Sequence, residues 1–492
     1  MNRHALHAAG LCLILLCAPR ALFTQESSSH SITDTLTART EPGLNVETAG
    51  PAAAVHKPAE GFLGRLTHFY LNDWHAAPST EPAPRRALDA PMDSPPFPSS
   101  DWGYGGAPTI GTPDSNVYPT MAALRREGAK THLYGWVEAS ANVSTSSQTN
   151  YPLAYSALPN RVILNQAVVV LERQPDTMQT QHFDWGFHFS GLFGADYRYM
   201  SAKGYLSGQL LDHNRQYGFD PVWESLDLYF PVKEGLVIRA GRFLALPGIE
   251  TQMAPGNLTH THSLIFAMAP STETGAVATL KLTKQWMIQA GISAGHDVAP
   301  WTVDRTPSAL ACLNYSTRSN HNNIEVCASG INGGHYAYNN VQHFDAVWNH
   351  RFNSKWNTST EGWVMYERDV PNVATGAHPV VPVETGANGA FCSAEQASCF
   401  APEYAMLNYL NRAVNSKLYI GMRNGFMNDK KGQRTGVPGR YTVNTVYVTK
   451  DFGSTVMLRS ELRFDHSWDR QGYDNGTESS QLLFNMNLIY KF

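Results

Sequence analysis

The sequence has little charge and no long apolar segment beyond its first residues. Only 16% of its 492 residues are Asp, Glu, Lys or Arg, whereas soluble globular chains carry about 25%. The mean hydropathy is −0.30, and after residue 22 no apolar run approaches the ~18 residues that a spanning helix needs. These deficits argue against a cytosolic enzyme and against a helical transporter. The formal net charge of −4 offers no attraction to a polyanion, so nucleic acid is not an expected partner.

Glycine and aromatic residues are abundant instead. The chain has 39 Gly, and 11% of its residues are aromatic. Apolar residues that are spread over alternating positions, without a hydrophobic helix, are typical of transmembrane β-barrels. The predicted fold class is therefore all-β, a closed antiparallel transmembrane β-barrel with an N-terminal arm.

Residues 1–21 have the composition of a secretory signal peptide. Arg3 and two histidines precede the apolar stretch LCLILLCA, which has the length of a signal core and is too short to span a membrane as a helix. Cleavage is expected near Ala21. A lipoprotein site at Cys17 is disfavoured because Leu16 stands where a small residue is expected. The predicted location is the bacterial outer membrane.

Residues 22–130 are predicted to form an arm without stable structure, on the periplasmic side. Twelve of the 29 prolines fall between positions 51 and 120, and proline is excluded from helix interiors and central strands. Apolar residues recur at helical spacing only near 60–74, which predicts a short amphipathic helix. This helix is interpreted either as marginal, ordering only against a partner, or as a docking element.

Alternation of apolar and polar residues dominates residues 131–492, the predicted barrel. Successive side chains of a strand point to opposite faces, and most alternating segments have about the 9–11 residues with which a tilted strand spans a bilayer. Short connections follow the even-numbered strands and longer ones follow the odd-numbered strands, as in outer-membrane barrels. An even strand number places both ends of the barrel on the short-turn side. Sixteen strands are predicted, over 131–144, 161–173, 182–194, 223–230, 235–244, 272–282, 286–295, 307–316, 323–331, 341–352, 356–368, 403–412, 417–427, 440–450, 454–466 and 481–492.

One pair of cysteines tests the predicted strand register. Cys312 and Cys327 are symmetric about the turn at 317–322. The same symmetry pairs Leu313 with Val326, as expected of cross-strand neighbours. A cross-strand disulfide on the lumen face is therefore predicted.

The second pair, Cys392 and Cys399, brackets a short piece of the loop 369–402. These two cysteines are also predicted to form a disulfide, as an even cysteine number in an exported protein favours. No cysteine lies in a C-x-x-C pair or beside a histidine at zinc-like spacing, so no metal site is expected.

Several separate motifs resemble one family of outer-membrane proteins. The chain from about residue 60 to its end is similar to the OmpL-like family of outer-membrane β-barrel porins, which implies a porin without implying a known substrate. The terminal strand also resembles an outer-membrane assembly signal, with Tyr490 and Phe492 at alternate positions, which would make the barrel assembly machinery a partner. The motifs are DAPMDSPPFPSSDWGYGGAPTIGTPD, LYGWVEASANVSTS, LERQPDTMQTQHFDWGFHFSGLFGADYRY, AGRFLALPGIETQMAP and GQRTG.

A barrel of this size has room for a water-filled lumen, since barrels of 16–18 strands leave an aqueous channel. Charged residues of both signs stand at the lumen parity and are pore-lining candidates. Facing acids and bases would focus a field on polar solutes, although ordinary salt-bridged wall residues explain each one as well. The candidates are Asp184, Asp227, Arg239, Lys281, Asp345, Glu361, Arg423, Arg459, Glu461, Arg463 and Asp465.

The loop 245–271 is too apolar to remain fully solvated. It could fold into the lumen, pack on the rim or continue an adjacent strand. Its histidines, His260 and His262, are expected to be exposed polar residues rather than metal ligands.

The predicted function is passive diffusion of small polar solutes through the lumen, with lipid as the surrounding partner. No hydrolase, zinc-protease or phosphate-loop motif is present, so neither an enzyme nor a cofactor is expected. The main alternative is a plugged barrel with a structural or cell-surface role. A transporter of apolar solutes ranks third, because the lumen parity is mostly polar.

Overall fold

The structure is a computed structural model that describes residues 61–73, 110–111, 118–124, 129–245, 248–375 and 389–492. The predicted signal peptide and most of the predicted arm lie outside these residues. Within them, sixteen antiparallel strands form one closed barrel in which each strand pairs with its neighbours in sequence. The predicted fold class is thereby confirmed.

The strands agree with the sequence prediction to within a few residues, with two main exceptions. Strand β4 begins at Gly218 rather than 223, and β12 spans Ser398–Asn415 rather than 403–412. Both extensions contain a proline, which argued against a strand; Pro221 is accommodated because the β3–β4 ladder bulges there. The strands are β1 Thr131–Ser144, β2 Val162–Arg173, β3 Asp184–Gly194, β4 Gly218–Phe230, β5 Leu236–Leu244, β6 Thr272–Lys281, β7 Trp286–His296, β8 Ser308–Ser316, β9 Asn322–Ile331, β10 Gln342–Arg351, β11 Trp356–Pro371, β12 Ser398–Asn415, β13 Leu418–Asp429, β14 Gly439–Phe452, β15 Val456–Ser467 and β16 Ser480–Lys491.

The two rims of the barrel differ in their connections. Turns such as 231–235 and 453–455 join the strands on one side, which also carries the start of β1 and the end of β16. We call this side the short-turn rim. Connections such as 195–217 and 245–271 lie on the other side, the long-loop rim. The alternation predicted from the sequence is therefore observed.

The alternation of side chains separates an apolar outer face from the lumen. On β16, Phe484 and Leu488 are exposed on the outside, whereas Asn485 and Asn487 are buried inside. Because strand side chains alternate strictly, a one-residue register slip would put the amides into lipid. The sequence pattern thus fixes which residues face the pore.

Both cysteine pairs are disulfide-bonded. Cys312 joins Cys327 between β8 and β9, and Cys392 joins Cys399 near the start of β12. Leu313 lies opposite Val326, as the symmetry about the turn predicts.

Four short α-helices accompany the described strands, and no helix among the described residues is long and apolar enough to cross a membrane. Helix α1 and helix α2 precede the barrel and contact each other, and α2 also contacts β1. Helices α3 and α4 belong to the long connections after β3 and β5. The helices are α1 Phe62–Asp73, α2 Pro119–Leu124, α3 Gly208–Leu211 and α4 Leu264–Met268.

The last residue closes the barrel seam. The amide of Phe492 donates to the carbonyl of Gly135 at 2.9 Å, and the amide of Gly135 donates back at 3.0 Å. The Phe492 ring covers Gly135, where an added Cβ would lie 2.7 Å from the ring Cζ. An aromatic side chain thus fills the space above a strand glycine.

We expect deletion of Phe492 to reduce the amount of folded protein in the outer membrane. The finished barrel loses two backbone hydrogen bonds of about 0.5–1.5 kcal/mol each and the ring contact with Gly135, but its other strand pairings remain, so its stability should change less than its assembly. The measurement is heat-modifiable gel mobility of the outer-membrane fraction, with the mid-strand, lipid-facing change Phe484→Ala as the control. A truncated protein that accumulates to the normal amount would contradict this prediction.

Candidate functional site

Among the described residues, charged side chains from many strands converge in the lumen, and a long connection crosses it. This connection joins β5 to β6 and is described from Gly248 to Ser271; we call residues 248–271 the luminal loop. It contacts side chains of β1, β2, β11, β13 and β15. Since β13 lies eight strands from β5 in the closed order of sixteen, on the opposite wall, the loop spans the lumen rather than packing on the rim or extending a strand.

Arg459 on β15 is one anchor of the luminal loop. Its guanidinium donates to the backbone oxygens of Ala254, Asn257 and Thr259 at 3.0, 3.0 and 2.9 Å. It also donates to the carboxylate of Glu138 on β1 at 2.5 Å. Arg459 is buried, so these bonds replace its hydration, and three loop carbonyls depend on one side chain.

A second anchor is Arg423 on β13. Its guanidinium donates to the Glu250 carboxylate at 2.9 Å and bonds to the carbonyl oxygen of Thr261. The Tyr409 hydroxyl also donates to Glu250, at 2.5 Å. Burial alone would raise the pKa of Glu250, but the neighbouring Arg423 holds it below its usual range. Glu250 is therefore a carboxylate at neutral pH, and the loop is ion-paired to the wall.

Two further lumen-facing residues of β15 also bond to the luminal loop. The amide of Thr261 donates to Glu461 at 2.8 Å, and Arg463 donates to the His262 carbonyl at 2.5 Å. Arg463 is also paired with Asp465, the two groups being 2.8 Å apart. All three charged residues of this strand segment are buried beneath the loop.

Two carboxyl groups lie together on the wall of β10 and β11. Glu361 accepts a hydrogen bond of 2.8 Å from the amide of Ile249 at the start of the luminal loop. Asp345 is buried on the neighbouring strand, on the same face and diagonally adjacent. Two acids therefore lie side by side on this wall, whereas β13 and β15 carry arginines and acids together.

Two further ion pairs that involve predicted site residues lie between strands near the short-turn rim. Arg239 on β5 bonds to Asp227 on β4 at 2.8 Å through two nitrogens. Asp184 at the start of β3 accepts from Arg173 at 2.6 Å. These predicted site residues face the lumen as cross-strand ion pairs and are not brought together with the loop anchors.

Glu138 is a functional candidate that sequence reasoning did not single out. It is buried on β1 and accepts from both Arg459 and Asn487. It stands at the lumen parity between Trp136 and Ser140. The same alternation that identified the other charged residues was therefore available for Glu138.

The expectation that His260 and His262 are exposed is wrong. Both are buried because the loop that carries them enters the lumen. His260 Nδ1 lies 2.9 Å from the Glu138 carboxylate, and the His262 ring stacks on Tyr155 with centroids 4.0 Å apart. Burial lowers the pKa of His262 to about 4, so this ring is neutral at pH 7.

The connection between β1 and β2 also folds inward. Tyr155 is buried and stacks on Tyr199 as well as on the luminal loop. Ser156 Oγ donates to Asn485 on the lumen face of β16 at 3.1 Å. Two connections thus narrow the lumen from the long-loop rim, and aromatic rings join them.

Segments that precede β1 occupy the lumen at the short-turn rim. Ile110 is buried against Tyr229 and Val237, and its carbonyl lies 3.4 Å from the Lys281 amino group. Lys281, one of the predicted pore-lining residues, therefore contacts the arm.

Helix α2 continues this occupation of the short-turn rim. The Tyr118 ring stacks on Tyr134 of β1 with centroids 4.4 Å apart, and Met121 is buried in the same cluster. Residues 110 and 118–124 of the predicted arm are therefore docked in the barrel mouth.

One further group of side chains has metal-like spacing. Potential ligand atoms of Cys312, Glu325 and Cys327 lie within 4.8 Å of one another. Both sulfur atoms belong to the disulfide, so neither offers the thiolate that binds a metal.

The family model described as "Putative beta-barrel porin-2, OmpL-like" matches residues 130–492. The chain belongs to this family. The match covers the whole barrel, including the strands that carry every lumen residue described above. It identifies the chain as an outer-membrane porin and leaves its solute open.

Solved structures with a similar fold are distant in sequence from this porin. The outer-membrane channel DcaP of Acinetobacter baumannii is 9% identical with a TM-score of 0.47, covering 75% of this chain and 99% of its own. The anion-selective porin from Comamonas acidovorans is 10% identical with a TM-score of 0.46, covering 74% and 99%. The trimer form of OmpT from Vibrio cholerae is 8% identical with a TM-score of 0.44, covering 74% and 99%. No curated protein matches this porin.

Proposed function

We propose that this porin is a passive channel for small polar solutes, which pass through the part of the lumen that the luminal loop leaves open. The observation that supports it is the closed sixteen-stranded barrel with a lumen face that carries charges of both signs. Carboxyl groups on β10 and β11, and ion pairs of arginine and carboxylate on β13 and β15, make this face strongly polar. Such a surface favours polar solutes over apolar ones.

The barrel is oriented with its short-turn rim and its N-terminal arm in the periplasm. Even strand number puts both ends of the barrel on one rim, and outer-membrane barrels have short periplasmic turns and longer extracellular loops. In this orientation Tyr490 and Phe492 end the last strand at the periplasmic side, where the barrel assembly machinery would recognise them.

The decisive measurement is single-channel conductance of the purified protein in a planar lipid bilayer. We expect stable conductance steps in KCl. A reversal potential under asymmetric KCl should respond to Glu361→Gln, with a shift toward anion preference because one wall carboxylate is lost. The shift should be larger at 0.01 M salt, where the screening length is about 30 Å, than at 0.1 M, where it is about 10 Å.

The plugged barrel is the second candidate, because both the luminal loop and the arm fill part of the lumen. It predicts no conductance from the intact protein. Deleting residues 250–270 separates the two proposals: a plugged barrel conducts only after the deletion, whereas a channel conducts before it and carries more current afterwards. A barrel that stays silent in both forms contradicts the proposed channel.

A further inference from the structure

Helix α1 is attached to the outside of the barrel, at the end of a lipid-facing row. The Tyr70 ring stacks on Tyr490 with centroids 6.2 Å apart and planes 10° apart, and the two hydroxyl groups are hydrogen-bonded. Tyr490 is the last outward-facing residue of β16, after Phe484, Met486 and Leu488, all of which are exposed on the outer face. Helix α1 therefore continues the apolar outer surface at the short-turn rim.

Two polar contacts fix the rotation of α1 about its own axis. At its end, the Asp73 carboxylate accepts from the Ser454 amide at 2.8 Å and from the Thr455 hydroxyl at 3.0 Å, both at the β14–β15 turn. Nearer its start, Arg65 Nε donates to the carbonyl of Ala123 in α2 at 2.6 Å. Contacts at both ends, together with the Tyr70 stack, fix the position and the rotation of the helix at the barrel.

The face of α1 beside Tyr70 is apolar and exposed. Leu63 is 73% exposed and Leu71 is 68% exposed. At about 100° per residue, Leu63 lies about 20° from Tyr70 around the helix axis, and Leu71 lies about 100° from it. His68 and Asn72 lie about 160° from Tyr70, on the far side. Large apolar groups thus stand beside the lipid-facing tyrosine, and polar groups point away.

We propose that α1 is an interfacial helix that lies in the plane of the membrane, on the leaflet at the short-turn rim. The exposed face of α1 contacts phospholipid. Leu63 and Leu71 insert at the boundary between the headgroups and the acyl chains. Interfacial helices have an apolar face and a polar face and are too short or too polar to span the bilayer. Continuity with the barrel's lipid-facing surface favours lipid as the occupant, since the exposed leucines extend the row that ends at Tyr490.

Spin labels on the native full-length barrel test this placement. Single changes Leu63→Cys and Leu71→Cys introduce one reactive thiol each, because the four cysteines of the barrel are paired in disulfides. The labelled protein is reconstituted in vesicles of phosphatidylethanolamine and phosphatidylglycerol. Accessibility of the nitroxide to oxygen, which concentrates in lipid, is compared with accessibility to a water-soluble nickel chelate.

We expect the oxygen-to-nickel ratio at positions 63 and 71 to approach that of Leu482→Cys on the lipid-facing wall. It should exceed the ratio at His68→Cys on the polar face severalfold. Equal ratios at positions 63 and 68 would overturn the proposal and place the helix in water. Low accessibility to both reagents would also overturn it, because a protein partner then covers the leucines.

A second variant separates loss of docking from loss of folding. Asp73→Ala removes the contacts to the β14–β15 turn while the barrel keeps its heat-modifiable mobility. We expect the label at position 63 to become more mobile and its oxygen-to-nickel ratio to fall. An unchanged ratio in this variant would show that the docked orientation does not set the depth of the helix.

Discussion

Replacing Arg459 by alanine should release the luminal loop and raise the single-channel conductance. The change removes three hydrogen bonds to loop carbonyls and leaves Glu138 without its arginine partner. Breaking a buried charged pair by removing one partner costs about 3–5 kcal/mol. At about 1.4 kcal/mol per tenfold change, the equilibrium between docked and released loop shifts by roughly 10² to 4 × 10³.

Conductance measured at low and at high salt distinguishes a wider channel from a change of charge alone. The loss of one positive charge alters conductance and selectivity mainly at low ionic strength, because charges more than about 3 Å apart are screened at 1 M salt. A released loop raises the conductance in 1 M KCl as well. The matched control is Arg440→Ala, which removes the same charge from the pair with Asp469 on the surface, where ion pairs contribute about 0–1 kcal/mol. An Arg459→Ala conductance equal to that of the unmodified protein in 1 M KCl would contradict the anchoring role.

Removing the arm through residue 124 should open the short-turn rim of the lumen. Ile110 and Met121 are both buried in the barrel mouth. Fully burying an apolar side chain of this size contributes about 1.5–3 kcal/mol, so the two together contribute about 3–6 kcal/mol. At about 1.4 kcal/mol per tenfold change, the docked arm should therefore slow chemical modification of the wall beneath it by a factor of roughly 10²–10⁴.

The alkylation rate of Val237→Cys measures this protection. Val237 is buried under Ile110, so its thiol should react slowly in the full-length protein and much faster in the truncated one. Val443→Cys is the control, because Val443 is buried in the cluster that contains the luminal loop and should react at the same rate in both proteins. Equal rates at position 237 with and without the arm would show that the arm does not close this rim.

Much of this barrel is determined by local patterns in the sequence. Alternation assigns each strand residue to lipid or lumen, since successive side chains point to opposite faces. The symmetric spacing of Cys312 and Cys327 sets the register of β8 and β9, because a hairpin with a short turn leaves little freedom in pairing. The placement of the terminal strand, with Phe492 at the seam, follows from the same parity.

The ends of two strands were less predictable from the sequence. Proline argued against the extensions of β4 and β12, yet Pro221 fits at a bulge and Pro402 pairs opposite Tyr366. Neither the bulge nor the pairing partner is visible in a single segment, because both depend on the neighbouring strand.

The sequence by itself determined the architecture and the set of charged residues that face the lumen, because both follow from a two-residue period. Only the tertiary structure decided what those residues contact. Arg459 and Glu138 are 321 positions apart, and Arg423 and Glu250 are 173 apart, so no local pattern links them. From the sequence, the luminal loop could lie in the lumen, on the rim or along an adjacent strand. The structure places it in the lumen, where its apolar residues are buried and its carbonyls bond to arginines on the far wall. The same long-range burial places Ile110 and Tyr118 in the barrel mouth, although the surrounding proline content indicates an arm without stable structure.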